Sequence, residues 1–169
     1  MDNPQQPPAR ERTFTWQSTA SSVEQLPNMS GLEFLHAIIA GDLPQPPMAY
    51  ALNFYLAEAE PGKAVFIGEP GEFHYNPLGV VHGGFASTLL DSAMACACHT
   101  TLPQGIGFTT LELKINLVRA ITVATGTLRA EGEALHTGKR VLTAAGKLID
   151  ADGKLYAHGT TTCLAFPLA

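Results

Sequence analysis

Residues 83–100 read GGFASTLLDSAMACACHT, and the fold turns on that stretch. Two glycines, Gly83 and Gly84, open it, and the later side chains are apolar or small nearly all the way round for about four to five helical turns. A helix of that kind is buried. The one charge in it is Asp91, set among Leu89, Leu90, Ala93, Met94 and Ala95. An uncompensated carboxylate is costly in such surroundings, so its presence calls for a chemical partner.

Downstream, four segments (109–119, 125–136, 139–150 and 154–166) have the character of strands. In the first, Thr109, Leu111, Leu113, Ile115 and Leu117 alternate with Thr110, Glu112, Lys114 and Asn116, the period of two expected of a sheet with one buried face. Thr137-Gly138 and the run from Asp150 to Gly153 are turn sequences, so the last three strands should form a meander. Upstream, Pro61-Gly62 separates two further strands at 50–60 and 63–68. Residues 69–81 hold Pro70, Gly71, Asn76, Pro77 and Gly79 and should be an irregular loop. The expectation is an α+β fold, one long helix wrapped by a curved antiparallel sheet of about six strands, with a second copy of the chain closing the side the sheet leaves open.

Ser30-Gly31-Leu32-Glu33 has the form of a capping box and predicts a short N-terminal helix that stops at Gly41, ahead of the prolines at 44–47. Residues 1–29, rich in Pro, Gln, Ser and Thr, are expected to be an arm or tail, and 30–169 the domain proper. A chain of 169 residues needs only one core. With 46% hydrophobic and 15% charged residues it is apolar enough to expect self-association. A net charge of -5 without a basic cluster argues against nucleic acid as partner. The sequence has neither a secretion signal nor an apolar run long enough to span a membrane, so a cytoplasmic location is expected. The cysteines, Cys96, Cys98 and Cys163, lack metal-binding spacing and are read as core packing.

The chemistry is expected where the loop meets the helix. Paired glycines let a ligand approach the backbone, and the first-turn N–H groups, unpaired within a helix, sit at its positive end. A thioester carbonyl placed there would gain stabilisation as it becomes an oxyanion. Asp91 is the candidate general base or nucleophile, with Ser87 and Thr88 as neighbouring hydroxyls. Gly83 and Asp91 are eight residues apart, about 12 Å along one helix, so a single carbonyl cannot meet both. The two should therefore come from different subunits with antiparallel helices.

The run Asn76-Pro-Leu-Gly-Val-Val-His82-Gly83-Gly84, followed by seven residues and Asp91, resembles the signature of the phenylacetate-degradation (PaaI-like) branch of hotdog-fold thioesterases. The resemblance covers 31–166 and implies an acyl-coenzyme A thioesterase that forms a homodimer of side-by-side sheets, often paired into a tetramer. It implies that Gly83 is the oxyanion donor, Asp91 the base or nucleophile, and Asn76 the residue that orients substrate or water. The family's strand hydroxyl falls on Thr110, with its neighbour Thr109 leaving the register open by one. Gly84 and Ser87 join these two threonines as substrate-binding candidates, and His82 is a catalytic candidate whose plain alternative is a bond to the loop backbone.

A Ser87-centred triad with His82 or His99 lacks the nucleophile elbow that such chemistry uses. A metal held by His74, His82 and His99 lacks suitable spacing, and neither metal nor cofactor is expected. Arg129, Lys139 and Arg140 are read as solvated charges in preference to phosphate contacts. A hotdog dehydratase or hydratase would need a His-acid pair over the acyl chain, and a non-catalytic acyl-thioester binding module would gain nothing from Asp91.

Overall fold

The computed structural model describes residues 9–168. In chain order they form α1 (Ala20–Gln25), α2 (Gly31–Ala40), α3 (Pro47–Leu52), β1 (Phe54–Glu60), β2 (Lys63–Gly68), α4 (Gly83–His99), β3 (Ile106–Leu117), β4 (Leu128–Thr137), β5 (Val141–Asp150) and β6 (Leu155–Pro167). The strands make one antiparallel sheet in the order β1-β2-β4-β5-β6-β3, and it curves round α4. This is the hotdog architecture: a long helix in a curved sheet.

Small residues explain how closely α4 sits in the sheet. Gly132, Gly146 and Gly159 face one another across β4, β5 and β6, with the buried Ala130, Ala144 and Ala157 on the same face. A methyl group on Gly132 would lie 2.2 Å from the Ala93 carbonyl oxygen, and one on Gly146 2.7 Å from Met94 Cγ. The helix backbone rests directly on Gly132, and the Met94 side chain on Gly146. Around it Leu89, Leu90 and Met94 meet Leu128, Leu142 and Leu148, all without exposed surface. Each such side chain contributes about 1.5–3 kcal/mol of hydrophobic stabilisation.

α2 begins as its sequence predicts. Ser30 Oγ accepts from the Glu33 N–H, Glu33 Oε2 accepts from the Ser30 N–H at 2.8 Å, and Gly41 ends the helix at φ 85°. Leu35 and Ile38 then reach the core. Ser30→Ala should lower Tm by about 2–4 °C, the effect of losing an N-cap in a chain of this size; differential scanning fluorimetry would show it.

The structure corrects the sequence reading in two places. Residues 50–52, expected to open a strand, instead complete helix α3, because Pro47 takes a helix's first turn, where its missing N–H costs nothing, and Asn53 ends the helix at φ 56°. Before Ser30 the chain forms α1 and a 3₁₀ turn at Leu26–Asn28. The preceding residues also dock on the body of the protein: Arg12 donates to the Tyr50 and Ala51 carbonyls and lies 3.8 Å over the Phe73 ring, while Arg10 pairs with Glu72.

The second correction concerns β3. A bulge between Thr110 and Glu112 shifts its pairing with β6, so the alternation predicted from Thr109 to Leu117 breaks at Leu111. Ile106 and Phe108 pack inward before the bulge, and Leu113 and Ile115 after it, whereas Leu111 is 59% exposed. An extra residue inserted into one strand reverses the phase of every residue beyond it.

Candidate active site

Two clusters of polar groups lie at different heights on α4. At the helix start, the His82 N–H donates to the His74 carbonyl at 2.8 Å, and the His82 carbonyl accepts from the Phe85 N–H at 3.0 Å. His82 Nδ1 accepts from the Gly84 N–H at 2.9 Å, which makes His82 the N-cap. The ring proton is thereby assigned to Nε2. Both the Gly84 and Phe85 donors are taken. No hydrogen bond among the described residues uses the Gly83 N–H, so the paired glycines offer one outward donor.

Asn76 shapes the loop leading to this donor. Its Oδ1 accepts from the Leu78 N–H at 2.9 Å and the Val80 N–H at 3.5 Å, and its own N–H donates to the Val80 carbonyl at 2.8 Å. Asn76, His82 and Gly83 line a groove of about 330 Å³ that also takes in Leu117, Arg119 and Ile121. Leu117 forms its wall at Gly83, where an added methyl would come within 2.5 Å of Leu117 Cδ1. No motif in the sequence pointed to Leu117 or Arg119 at this groove, because both reach it from β3 and the turn after it.

The second cluster lies two turns along. Gly84, Ser87, Thr88, Asp91, Ser92 and Cys96 form the stripe of α4 that the sheet leaves partly uncovered. Asp91 is half-buried in it, and Thr110 Oγ1 donates to Asp91 Oδ1 at 3.0 Å. Thr110 thus meets the carboxylate, while its neighbour Thr109 is exposed on the other side of β3. Ser87 and Thr88 do not contact Asp91: they donate to the Gly83 and Gly84 carbonyls, each at 2.9 Å. No hydrogen bond among the described residues reaches Asp91 Oδ2, and no ion pair among them uses the carboxylate.

The other histidines of interest are packing groups. His99 packs between the tilted rings of Phe34 and Phe108, and burial pushes its pKa down to about 4, leaving it neutral at pH 7. His74 lies between Phe73 and Phe85, with ring centroids 4.1 and 4.4 Å away, and Nδ1 accepts from the Gly71 N–H. Burial and then the Arg12 charge hold it below the usual histidine value. Among the described residues no cluster of His, Cys, Asp or Glu could hold a metal.

A larger depression, about 610 Å³, opens along β1, β2, β4 and β5. Its charges satisfy one another: Arg129 grips Glu58 through two bonds of 2.7 and 2.8 Å and reaches Glu131 at 2.8 Å, and Lys147 meets Glu131 at 3.0 Å. Neither Asp91 nor Gly83 lines it.

The fold and the two clusters define a hotdog protein with a carboxylate and a helix-end donor on its central helix. The thioesterase superfamily model matches residues 78–157, from the loop ahead of α4 into β6. The chain belongs to that superfamily, and its resemblance to the phenylacetate-degradation branch extends to solved structures. A phenylacetic acid degradation-related protein of Ralstonia eutropha JMP134 is 28% identical, with 77% of this chain and 98% of that one covered and a TM-score of 0.69. The TT0310 protein of Thermus thermophilus is 30% identical over 71% and 97% of the two chains, with a TM-score of 0.64. Thioesterase HI1161 of Haemophilus influenzae, 18% identical over 81% and 91% with a TM-score of 0.69, shares the fold. No protein of curated function matches the sequence. Family membership supports acyl-thioesterase activity in general. No helix of the described residues is long and apolar enough to cross a membrane.

Proposed function

We propose that the protein hydrolyses acyl-coenzyme A thioesters at a site that two chains build together, Asp91 and Thr110 coming from one and Gly83 from the other. The observation that carries this reading is the state of Asp91: a carboxylate on a half-covered stripe of an otherwise buried helix, oriented by one hydroxyl and neutralised by no cation among the described residues. Such a group is expensive to keep unless it acts. The separation of about 12 Å along α4 supports the sharing of the site between chains. The outer edge of β3 supports association, because that 12-residue strand ends the sheet and carries Leu111 and Leu117 at 59% and 55% exposure. An open edge with exposed apolar residues is a surface that pairing covers.

In this site Asp91 takes a proton from water as the water oxygen bonds to the thioester carbon. Thr110 holds Oδ1, which leaves Oδ2 to receive the proton. The carbonyl oxygen gains the negative charge and accepts from the partner's helix start, where the Gly83 N–H and the helix dipole favour an anion. Collapse of the tetrahedral intermediate breaks the carbon–sulfur bond, and the departing thiolate takes up the proton that Asp91 received, which restores the carboxylate. The products are the free acid and coenzyme A.

Thiol release from a panel of short, long, branched and aromatic acyl-coenzyme A esters tests the activity, and silence across the panel would overturn it. Subunit mixing tests the shared site. Gly83→Pro removes the outward N–H at a first-turn position where proline fits a helix, and the displaced Leu117 tip is half-exposed and free to move. It should lower kcat by about 100-fold, as loss of an oxyanion donor does. Refolding Gly83→Pro together with Asp91→Asn should recover about a quarter of parental activity, because half the dimers are then mixed and each mixed dimer has one intact site. Mixed dimers with no recovery would rule out a site divided between chains.

A further inference from the structure

The Thr110 hydroxyl reaches Asp91 on a strand that changes phase immediately afterwards. β3 and β6 pair Thr109 with Leu164 and Thr110 with Cys163, then Glu112 with Thr162 and Leu113 with Thr161, which leaves Leu111 as the extra residue. Without it, the inward set after Thr110 would be Glu112, Lys114 and Asn116, and three polar side chains would face the core. With it, one strand presents Thr110 to the carboxylate and still buries Leu113 and Ile115. The conformation at Leu111 therefore sets where the Thr110 hydroxyl points.

One buried side chain holds that conformation. Thr161 of β6 is 1% exposed and faces α4 from a layer otherwise built of alanine, glycine, cysteine and leucine. Its Oγ1 donates to the Glu112 carbonyl at 2.8 Å, on the residue directly after the bulge. A hydroxyl in that layer would be costly unpaired, and the acceptor it has found is the backbone beside the ladder's interruption.

We propose that Thr161 is a positioning residue for the thioester chemistry: by holding the Glu112 carbonyl it locks the bulge at Leu111 and keeps the Thr110 hydroxyl on Asp91. The Thr161 hydroxyl bonds to the Glu112 carbonyl and not to Asp91, and its role rests on the reading of Asp91 as the active carboxylate. Thr161→Val removes the hydroxyl at nearly constant size, and Thr161→Ser keeps it.

The valine variant should lower kcat about tenfold, the scale of coupling within one hydrogen-bond network, with KM within about twofold of the parent. The serine variant should restore kcat. In a Thr110→Val background Thr161→Val should cost nothing further, whereas a general loss of packing would multiply with the first change. The Leu111 and Glu112 amide resonances should move in the valine variant and return in the serine variant. Parental turnover by Asp91→Asn would overturn the site reading and this role with it. An inactive Asp91→Asn beside a Thr161→Val that keeps full kcat, or whose loss multiplies with that of Thr110→Val, would overturn the positioning role alone.

Discussion

Asp91→Asn is expected to lower kcat by about three orders of magnitude, within the range that a positioned acid or base contributes. The substitution isolates the proton-accepting function. Asparagine has the same shape, and its carbonyl oxygen still accepts from Thr110 Oγ1, which in the parent reaches Asp91 Oδ1 at 3.0 Å. Its amide group, however, cannot take a proton from water. Burial adds no penalty, because a neutral amide on the half-covered stripe of α4 costs less than a carboxylate. Tm and KM should stay near parental values, and thiol release measured beside thermal melting gives both readouts. Turnover at the parental rate would remove the basis for the catalytic reading. Asp91→Ala is the poorer probe, since it also changes the packing between α4 and β3.

Gly132→Ala should be strongly damaging for a single added methyl group, lowering stability by about 3 kcal/mol, at the upper end of what overpacking costs. The added carbon would meet the Ala93 oxygen, the Ala93 carbon and the Met94 nitrogen at 2.2, 2.3 and 2.6 Å. All three are backbone atoms of a continuous helix, so no rotamer change relieves the contact. The helix has to lift off β4, and Asp91, two residues before Ala93, has to move with it. The expected Tm decrease is about 6–12 °C for a chain of this size. Gly83→Ala is the informative contrast, because its new methyl meets only the tip of the half-exposed Leu117 side chain and should cost little. Equal melting temperatures for Gly132→Ala and the parent would show that α4 does not rest on the glycine floor.

Features governed by neighbouring residues were legible before any coordinates. The helix expected over 83–100 is Gly83–His99, because its apolar run is long and glycine-led. The strand expected at 63–68 is Lys63–Gly68, because Gly62 adopts the positive φ of 77° that the turn needs. The capping box at Ser30 formed for the same kind of reason: its two hydrogen bonds span three residues. Residues 50–52 were misread as strand because the proline-rich run before them fits a helix start as well as a loop, and that choice depends on what the next turn packs against.

In the candidate site the division follows the range of the interactions. Asp91 and Gly83 stood out from local anomalies alone, a charge within an apolar helix and a glycine pair at its start. The choice between Thr110 and Thr109 could not be made from sequence, since adjacent threonines look alike and the bulge after Thr110 reverses the phase that the apolar residues beyond it suggest. Nor could the loss of Gly84 as a donor, which depends on a His82 rotamer. Local chemistry in the sequence determined which elements form and which residues are out of place in them. Only the packed sheet decided which way those residues face and which hydroxyl meets the acid, because strand phase and side-chain direction are set by contacts that close when distant segments meet.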